Sequence, residues 1–444
     1  MIYFFQKRNT CKAADFSLLF QPSGEVLPCH YNRGYILGKY PENSIREIWK
    51  GNKRKILVKS IRTNKYNLGC FACKNDIDNG LDQFVGKNKY NYIGSSHSNF
   101  PLSMEFQLDN ICNLECIMCS GEYSSGIRKH REKGEKYLSP YDDKFIEQLE
   151  QFIPHLKHAA FTGGEPFLIN IYYKLWDRIK VLNPDCNIYI STNGTVLNEK
   201  VKSYLERLSF NLTISIDSLD KERYEAIRKN ATLEKTLENI EYFIQYCKEK
   251  NTVVNIKCLV MPQNYQDIPF LFSYFSKKNI GIFPKVAFLP QFASFESLNK
   301  NELTVITNFY KKQSFINQSE IQLSNIERFN ELIRQIESIN PESNNILLNT
   351  EMQLGEIKKE FENQLIENIN KLDKSIRKDI YFYKKILELL YNSIVDENEL
   401  KTAIINFSKL QPQLLLNEIN RADVNKLIAR FKQAALFKTS LNSV

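Results

Sequence analysis

The sequence predicts an α/β protein. A partial parallel (β/α)6 barrel is expected over residues 101–290, with a small cysteine-rich domain at 1–90 and an α-helical region at 295–444. Three observations lead there. Six short apolar runs alternate with amphipathic segments, the pattern of parallel strands joined by helical crossovers. Seven of the ten cysteines fall into two tight clusters, at 11–73 and 112–119. Beyond about residue 295 the apolar residues recur every three or four positions, the period of a helix face.

Residues 1–85 are dense in turns and cysteines, and the Gly-, Ser- and Asn-rich stretch 84–101 reads as a linker. Strands are expected at 103–109, 157–162, 186–191, 211–217, 252–260 and 280–287, with helices such as YDDKFIEQLEQFI and LEKTLENIEYFIQYC between them. In the C-terminal region Leu354, Ile357, Phe361, Leu365, Ile369, Leu372, Ile376 and Ile380 form an apolar stripe. No glycine follows Gly355, and Pro412 is the one proline after it, so a helical bundle is expected with the stripe as its core.

The length of 444 residues suits two or three compact units, and 43% hydrophobic with 25% charged residues excludes a disordered or fibrous chain. No apolar run of about 18 residues is present, so no membrane span is expected. The start MIYFFQKRNTCK lacks the pattern of an export signal, and the chain is expected in the cytoplasm. The net charge of +9 is a mild bias whose basic residues are interleaved with acids, so nucleic-acid binding is not expected. The five histidines have no metalloprotease spacing, and His30, beside Cys29, reads as a solvated loop residue.

Where thiols stay reduced, closely spaced cysteines point to metal or catalysis rather than disulfides. Cys186, Cys247 and Cys258 stand alone in apolar runs and read as small core residues. Cys112, Cys116 and Cys119 form a C-x3-C-x2-C loop directly after the first barrel strand. Three thiolates at this spacing can hold three irons of a cubane cluster and leave the fourth open to a chelating amino and carboxylate pair. Thr162-Gly163-Gly164-Glu165-Pro166 follows the second strand. Its paired glycines allow close approach of backbone to a ligand, and Glu165 offers an acceptor for an amine. Ser191-Thr192-Asn193-Gly194 ends the third strand with groups suited to sugar hydroxyls, and Ser215-Ile216-Asp217-Ser218 ends the fourth. In a parallel barrel all of these fall on the carboxyl rim, where active sites are built.

Over residues 101–290 the chain resembles the radical S-adenosylmethionine (radical SAM) superfamily. CNLECIMC resembles its cluster loop, FTGGEPFL its methionine-binding motif, and ISTNG with TISIDS its ribose-contacting strand ends. The resemblance implies that Cys112, Cys116 and Cys119 hold a [4Fe-4S] cluster whose open iron chelates S-adenosylmethionine. It further implies one-electron cleavage to methionine and a 5′-deoxyadenosyl radical that takes a hydrogen from substrate. Gly163, Gly164, Glu165, Pro166, Ser191, Asn193, Ser215 and Asp217 become expected cofactor contacts. Met118 stands where the family usually has an aromatic residue beside the adenine.

The second cluster is Cys11-x12-Gly24-x4-Cys29 followed by Cys70-x2-Cys73, a spacing that suits structural zinc. It resembles the SPASM/Twitch auxiliary-cluster domain: FQPSGEVLPC as the hairpin, LGKY and SIREIW as the helix, then C-x2-C. That domain normally follows the barrel, whereas here it precedes it. Cysteines for a second auxiliary cluster are missing, so the single-cluster Twitch form fits better. Four cysteines saturate one [4Fe-4S] cluster, which implies an electron conduit rather than a substrate-chelating site. The leading expectation is a radical SAM oxidoreductase or maturase acting on a peptide or protein. The alternatives are the same chemistry on a small molecule such as a sugar or cyclitol, or a non-catalytic zinc- or cluster-binding scaffold. A low-potential electron donor such as flavodoxin or ferredoxin is the expected partner.

Overall fold

In the computed structural model the hairpin that follows Cys11 is hydrogen-bonded to the first barrel strand. The structure describes residues 11–78, 86–90, 93, 98–339, 348, 351–370, 377–408, 410, 415–416, 419–420 and 424–435. The chain divides into two compact units. One takes the residues up to Asn110 together with Tyr137–Tyr189 and Arg377; the other takes Ile111–Lys136 and the remaining residues from Ile190 onward.

In the first unit β1 (Ser17–Phe20), β2 (Glu25–Leu27) and β3 (Gly38–Lys39) form an antiparallel edge. Gly24 turns β1 into β2 at φ +85°, and a Cβ there would stand 2.2 Å from the carbonyl oxygen of Tyr40, which excludes any side chain. Parallel pairing then joins β1 to β4 (Ser103–Phe106) and β4 to β5 (His158–Phe161). The register sets Phe20 opposite Phe106 and Phe106 opposite Phe161. Their rings stack at 5.6 and 5.0 Å across three strands, and Tyr141, Phe145, Tyr172 and Trp176 pack onto the ladder edge-on or tilted. Each such pair contributes about 0.5–1.5 kcal/mol beyond its buried area.

This ladder explains why the expected separation of residues 1–90 from 101–290 is not a separation of compact units. Segments 11–78 and 98–110 share one sheet and one aromatic core. Part of the expected linker is packed as well. Gly86–Tyr90 forms a 3-10 turn, and Tyr90 and Ile93 are buried against Ala13, Phe16 and Cys29. The rest of it up to His97 lies outside the described residues. The expected SIREIW helix is Ile45–Lys50, started by a capping box in which Ser44 and Glu47 satisfy each other's backbone N–H.

In the second unit β7 (Phe210–Ser215), β8 (Val254–Val260) and β9 (Gly281–Val286) pair in parallel in that order. The remaining strand, β6 (Asn187–Thr192), lies where the chain passes from one unit to the other. All six expected barrel strands are present, with helices such as Leu233–Lys250 and Ile268–Lys277 between them. The N–H of Ile282 in β9 donates to Asn325 Oδ1 at 2.8 Å, and Asn325 Nδ2 donates to the Ile280 carbonyl at 2.9 Å. The helix Glu320–Glu337 thereby covers that strand edge.

The expected C-terminal helices are present. Ile357, Phe361, Leu365 and Ile369 are the buried face of the helix Leu354–Asn370, whereas Leu372 and Ile376 lie outside the described residues. Ile380, expected on the same face, instead starts the helix Ile380–Asn392 and is exposed, while Tyr383, Ile386, Leu387 and Leu390 are the buried face of that helix. Among the described residues no helix is long and apolar enough to cross a membrane.

Candidate active site and iron–sulfur centres

Residues 111–119 form a loop with little regular structure, held in shape by its neighbours in the second unit. The Glu115 N–H donates to the Lys229 carbonyl at 3.1 Å, and the Ile117 N–H to the Ile227 carbonyl at 2.9 Å. Arg131 crosses beneath the loop: its guanidinium donates to the carbonyls of Cys116, Ile117 and Cys119. Those bonds satisfy acceptors that no helix or sheet supplies with donors. Cys112, Cys116 and Cys119 are half-buried. Burial pushes the Cys116 thiol up to about 12, with Arg228 pulling the other way, and it raises Cys119 against the pull of Arg131 and Arg430. Such thiols ionise readily only when a metal takes the charge, the behaviour expected of cluster ligands.

The structure brings the third-strand motif onto this loop. Asn193 Nδ2 donates to Asn113 Oδ1 at 2.9 Å and lies 3.9 Å from Cys112 Sγ. Asn113 Nδ2 donates in turn to Thr195 Oγ1 at 2.8 Å. Ser191 and Ser215 lie half-buried at the ends of β6 and β7. Met118 packs with Ile117 against Ile227, Met261, Ala287 and Ala293, an apolar wall suited to a base or ring. Asp217 departs from expectation. It is wholly buried, its Oδ2 lies 2.8 Å from the Arg228 guanidinium, and its Oδ1 accepts the Leu259 N–H at 2.7 Å. With its carboxylate committed to the interior, Asp217 supports the cluster loop through Arg228 instead of meeting a ribose. The C-terminal helix Val424–Ala435 also reaches the loop region, where Lys426 Nζ lies 3.0 Å from Glu122 Oε2.

The glycine motif belongs to the first unit. Gly163 sits at φ +109°, with a Cβ position 2.9 Å from the Asp109 carbonyl oxygen, so only glycine fits. The Gly164 N–H donates to that same carbonyl at 3.1 Å. Pro166 starts a 3-10 turn, and the buried Glu165 accepts the Phe167 N–H at 3.2 Å. The buried Thr162 Oγ1 and Gln107 Oε1 have no partner among the described residues, which leaves polar atoms for a ligand beside the glycines. Tyr172 fixes the motif. Its hydroxyl accepts the Leu108 N–H at 2.9 Å and reaches the Thr162 and Phe106 carbonyls at 2.7 and 2.9 Å, joining the ends of β4 and β5. Tyr172→Phe is expected to destabilise the protein by about 1–3 kcal/mol, because it orphans buried backbone groups. Denaturant unfolding checks this, and a weakened Kd for S-adenosylmethionine in equilibrium binding would show that the motif has loosened.

The four N-terminal cysteines also lie in the first unit. Burial pushes Cys70 up to about 12, with Cys29 and Cys73 close enough to add to the rise; burial raises Cys11 too, and Cys29, Cys70 and Cys73 all reinforce it. The structure therefore gathers all four. N–H donors already point at the sulfurs: Ala13 N to Cys11 at 3.4 Å, Asn32 N to Cys29 at 3.3 Å and Asn32 Nδ2 to Cys70 at 3.2 Å. Four gathered thiols with N–H donors fit an iron–sulfur cluster in which each iron takes one thiolate. His30 is not the free loop histidine expected from the sequence: its Nδ1 lies 3.1 Å from Glu105 Oε1, and Lys89 Nζ lies 3.3 Å from Glu105 Oε2. Burial opposes ionisation of Glu105, but Lys89 and His30 outweigh it and hold the carboxyl well below the usual range.

Among the described residues no three His, Cys, Asp or Glu side chains close on a point that a single metal ion would fill. A cubane cluster spreads its thiolates over separate irons and asks for no such point. The lone Cys186, Cys247 and Cys258 are buried, as expected of core residues. Sequence reasoning missed Asn32, Arg131, Tyr172 and Arg228. Asn32 follows Cys29 by three residues, a spacing visible in the sequence, whereas the other three reach their partners only through the fold.

Residues 107–274 match the radical SAM superfamily. Residues 11–74, which include all four N-terminal cysteines, match the SPASM iron–sulfur cluster-binding domain. The fold, the cysteine loop and the first match mark residues 107–274 as a radical SAM domain, and S-adenosylmethionine and [4Fe-4S] clusters are the cofactors that the two matches imply. More particularly, residues 11–74 add an auxiliary cluster domain of SPASM type to that radical SAM domain, which favours iron–sulfur over zinc for Cys11, Cys29, Cys70 and Cys73. It is 29% identical over 164 residues to the GTP 3′,8-cyclase of Clostridium perfringens, 37% of this chain and 48% of that protein. It is 24% identical over 189 residues to a probable GTP 3′,8-cyclase of Methanocaldococcus jannaschii, 42% of this chain and 59% of that protein. The chain thus spans roughly half the length of these curated relatives. Among solved structures it is similar to anSMEcpe with bound AdoMet, at 21% identity and a TM-score of 0.37 over 48% of this chain and 59% of that one. It is also similar to Streptococcus suis SuiB bound to S-adenosylmethionine, at 14% identity and a TM-score of 0.36 over 66% of this chain and 61% of that one.

Proposed function

We propose that this enzyme abstracts a hydrogen from a peptide or protein and oxidises or cross-links the carbon so activated. When bound, the cluster and S-adenosylmethionine supply one-electron cleavage to methionine and a 5′-deoxyadenosyl radical. In this reading Cys112, Cys116 and Cys119 hold the cluster, and Arg131 keeps their loop in one shape. Gly163 and Gly164 admit the methionyl end, Asn193 and Ser191 meet the ribose, and Met118 excludes water beside the adenine. Cys11, Cys29, Cys70 and Cys73 hold the auxiliary cluster, which takes up the electron that oxidation of the substrate releases.

The observation that carries the peptide reading is the Lys426–Glu122 contact. It supports a role for the C-terminal helix as a wall beside the cluster loop, against which a peptide is held. A second reading, chemistry on a small molecule, is favoured by the GTP 3′,8-cyclase relatives. Their similarity covers about two fifths of this chain and about half of each relative, so it carries the shared cleavage chemistry more readily than their substrate.

The test is anaerobic reconstitution with iron and sulfide, then dithionite, S-adenosylmethionine and, in parallel, short peptides encoded beside this gene and GTP. About eight irons per chain are expected, two four-iron clusters. A peptide is expected to lose two hydrogens, with Cys73→Ala still releasing 5′-deoxyadenosine while stopping net conversion. Conversion of GTP with the peptides untouched would move the function to the second reading.

A further inference from the structure

The chain's positive charge is not spread evenly. Residues 44–65 carry eight Lys and Arg against the single acid Glu47, so this short stretch holds seven of the net nine positive charges. Half of it is the helix Asn52–Arg62 in the first unit. Leu57, Ser60 and Ile61 are buried, while Lys55, Lys59 and Arg62 are exposed. They line a groove of about 440 Å³ together with Arg54, Val58 and Asp15. Structural work accounts for two of these cations. Arg54 stacks 3.7 Å over the Trp49 ring and donates to the Ala14 carbonyl at 2.8 Å, and Arg62 lies 2.7 Å from Asp15. Lys55 and Lys59 need another explanation, since like charges crowded on one helix face destabilise it.

We infer that this basic face docks an acidic one-electron carrier protein, to which the cluster held by Cys11, Cys29, Cys70 and Cys73 returns the electron taken from the substrate. The inference rests on the cluster reading of those cysteines. The helix Ala13–Phe16 links the two features: Asp15 lines the groove, the Ala14 carbonyl receives Arg54, and the Ala13 N–H points at Cys11 Sγ at 3.4 Å. A carrier seated on the groove lies one helical turn from a cluster ligand. The step moves one electron with no bond made or broken: in turnover the reduced cluster is oxidised and the carrier's flavin or iron–sulfur centre is reduced, and the reverse transfer, from reduced carrier to oxidised cluster, crosses the same contact. An acidic protein fits this face better than a nucleic acid. Single strands are held by exposed aromatics between the cations, and the one aromatic of residues 44–65, Trp49, is buried. Charge steering of this kind acts mainly on the association rate and is screened by salt.

The experiment uses the full chain with reconstituted clusters and reduced flavodoxin, an acidic carrier, against dithionite as a small reductant. Bleaching of cluster absorbance gives the rate without any substrate, and fluorescence anisotropy gives flavodoxin binding. Lys55→Glu/Lys59→Glu is expected to slow reduction by flavodoxin at least about tenfold at low salt, to flatten its salt dependence and to weaken binding, with dithionite reduction unchanged. Should the Glu pair lose iron, Lys55→Gln/Lys59→Gln carries the same test with a smaller slowing expected. An unchanged flavodoxin rate in the variant that keeps its iron overturns the inference. So does tight binding of single-stranded DNA that the variants abolish. If no cluster forms at the four cysteines in the parent chain, the cluster reading fails and the docking inference goes with it.

Discussion

Cys119→Ala is expected to abolish release of 5′-deoxyadenosine and to cut the iron content of the reconstituted protein from about eight to about four per chain. The expectation follows from ligand count. Three thiolates hold three irons and leave one open for chelation; with two, a second iron loses its anchor and the cubane falls apart. Among the described residues no His, Cys, Asp or Glu completes a metal-holding group with Cys112 and Cys116. Arg131 occupies the carbonyl side of the loop, and burial already opposes thiolate formation at both Cys116 and Cys119. The N-terminal set lies in the other unit and keeps its four irons. Cys186→Ala is the control, because that buried core cysteine is predicted to change neither the iron count nor cleavage. Iron and sulfide analysis with chromatography of 5′-deoxyadenosine decides the matter. Continued cleavage of S-adenosylmethionine by Cys119→Ala would remove the assignment of the loop.

The strands were legible because their apolar runs are short, regularly spaced and separated by amphipathic helices, and the structure places β4 to β9 close to the expected positions. The cysteine sets were legible because ligands on a single loop keep a fixed spacing. Partnerships between distant segments were not. Nothing in the sequence says that Ser17 pairs with Ser103, yet this pairing merges the cysteine-rich segment with the first barrel strand. Asp217 looked like a polar group at a strand end, the usual place for a ligand contact. Its role depends on Arg228, which follows the helix Lys221–Ile227 and carries no motif of its own. His30 looked solvated for the same reason: Glu105, its partner, lies on β4. The basic run at 44–65 stood in plain view but was averaged away by the whole-chain balance.

Arg228→Leu is expected to destabilise the protein by about 3–5 kcal/mol, the effect of leaving a buried carboxylate without its cation. Arg228 and Asp217 are 7% and 0% exposed at the side chain, so water cannot replace the lost partner. The pair also sits under the active site. Ile227 and Lys229, on either side of Arg228, accept the N–H groups of Ile117 and Glu115, and displacement of Arg228 therefore pulls on the loop that carries Cys116. Asp217→Asn/Arg228→Leu removes both charges and is expected to recover part of the loss, since the penalty belongs to the unpaired charge. Denaturant midpoints for the two single variants and the double variant form the cycle, and iron content measured alongside separates loss of fold from loss of cluster. A single-variant loss below about 1 kcal/mol would mean that Asp217 finds compensation elsewhere. In that case the loop is held by Arg131 and the backbone bonds alone, and the double variant should be no more stable than Arg228→Leu.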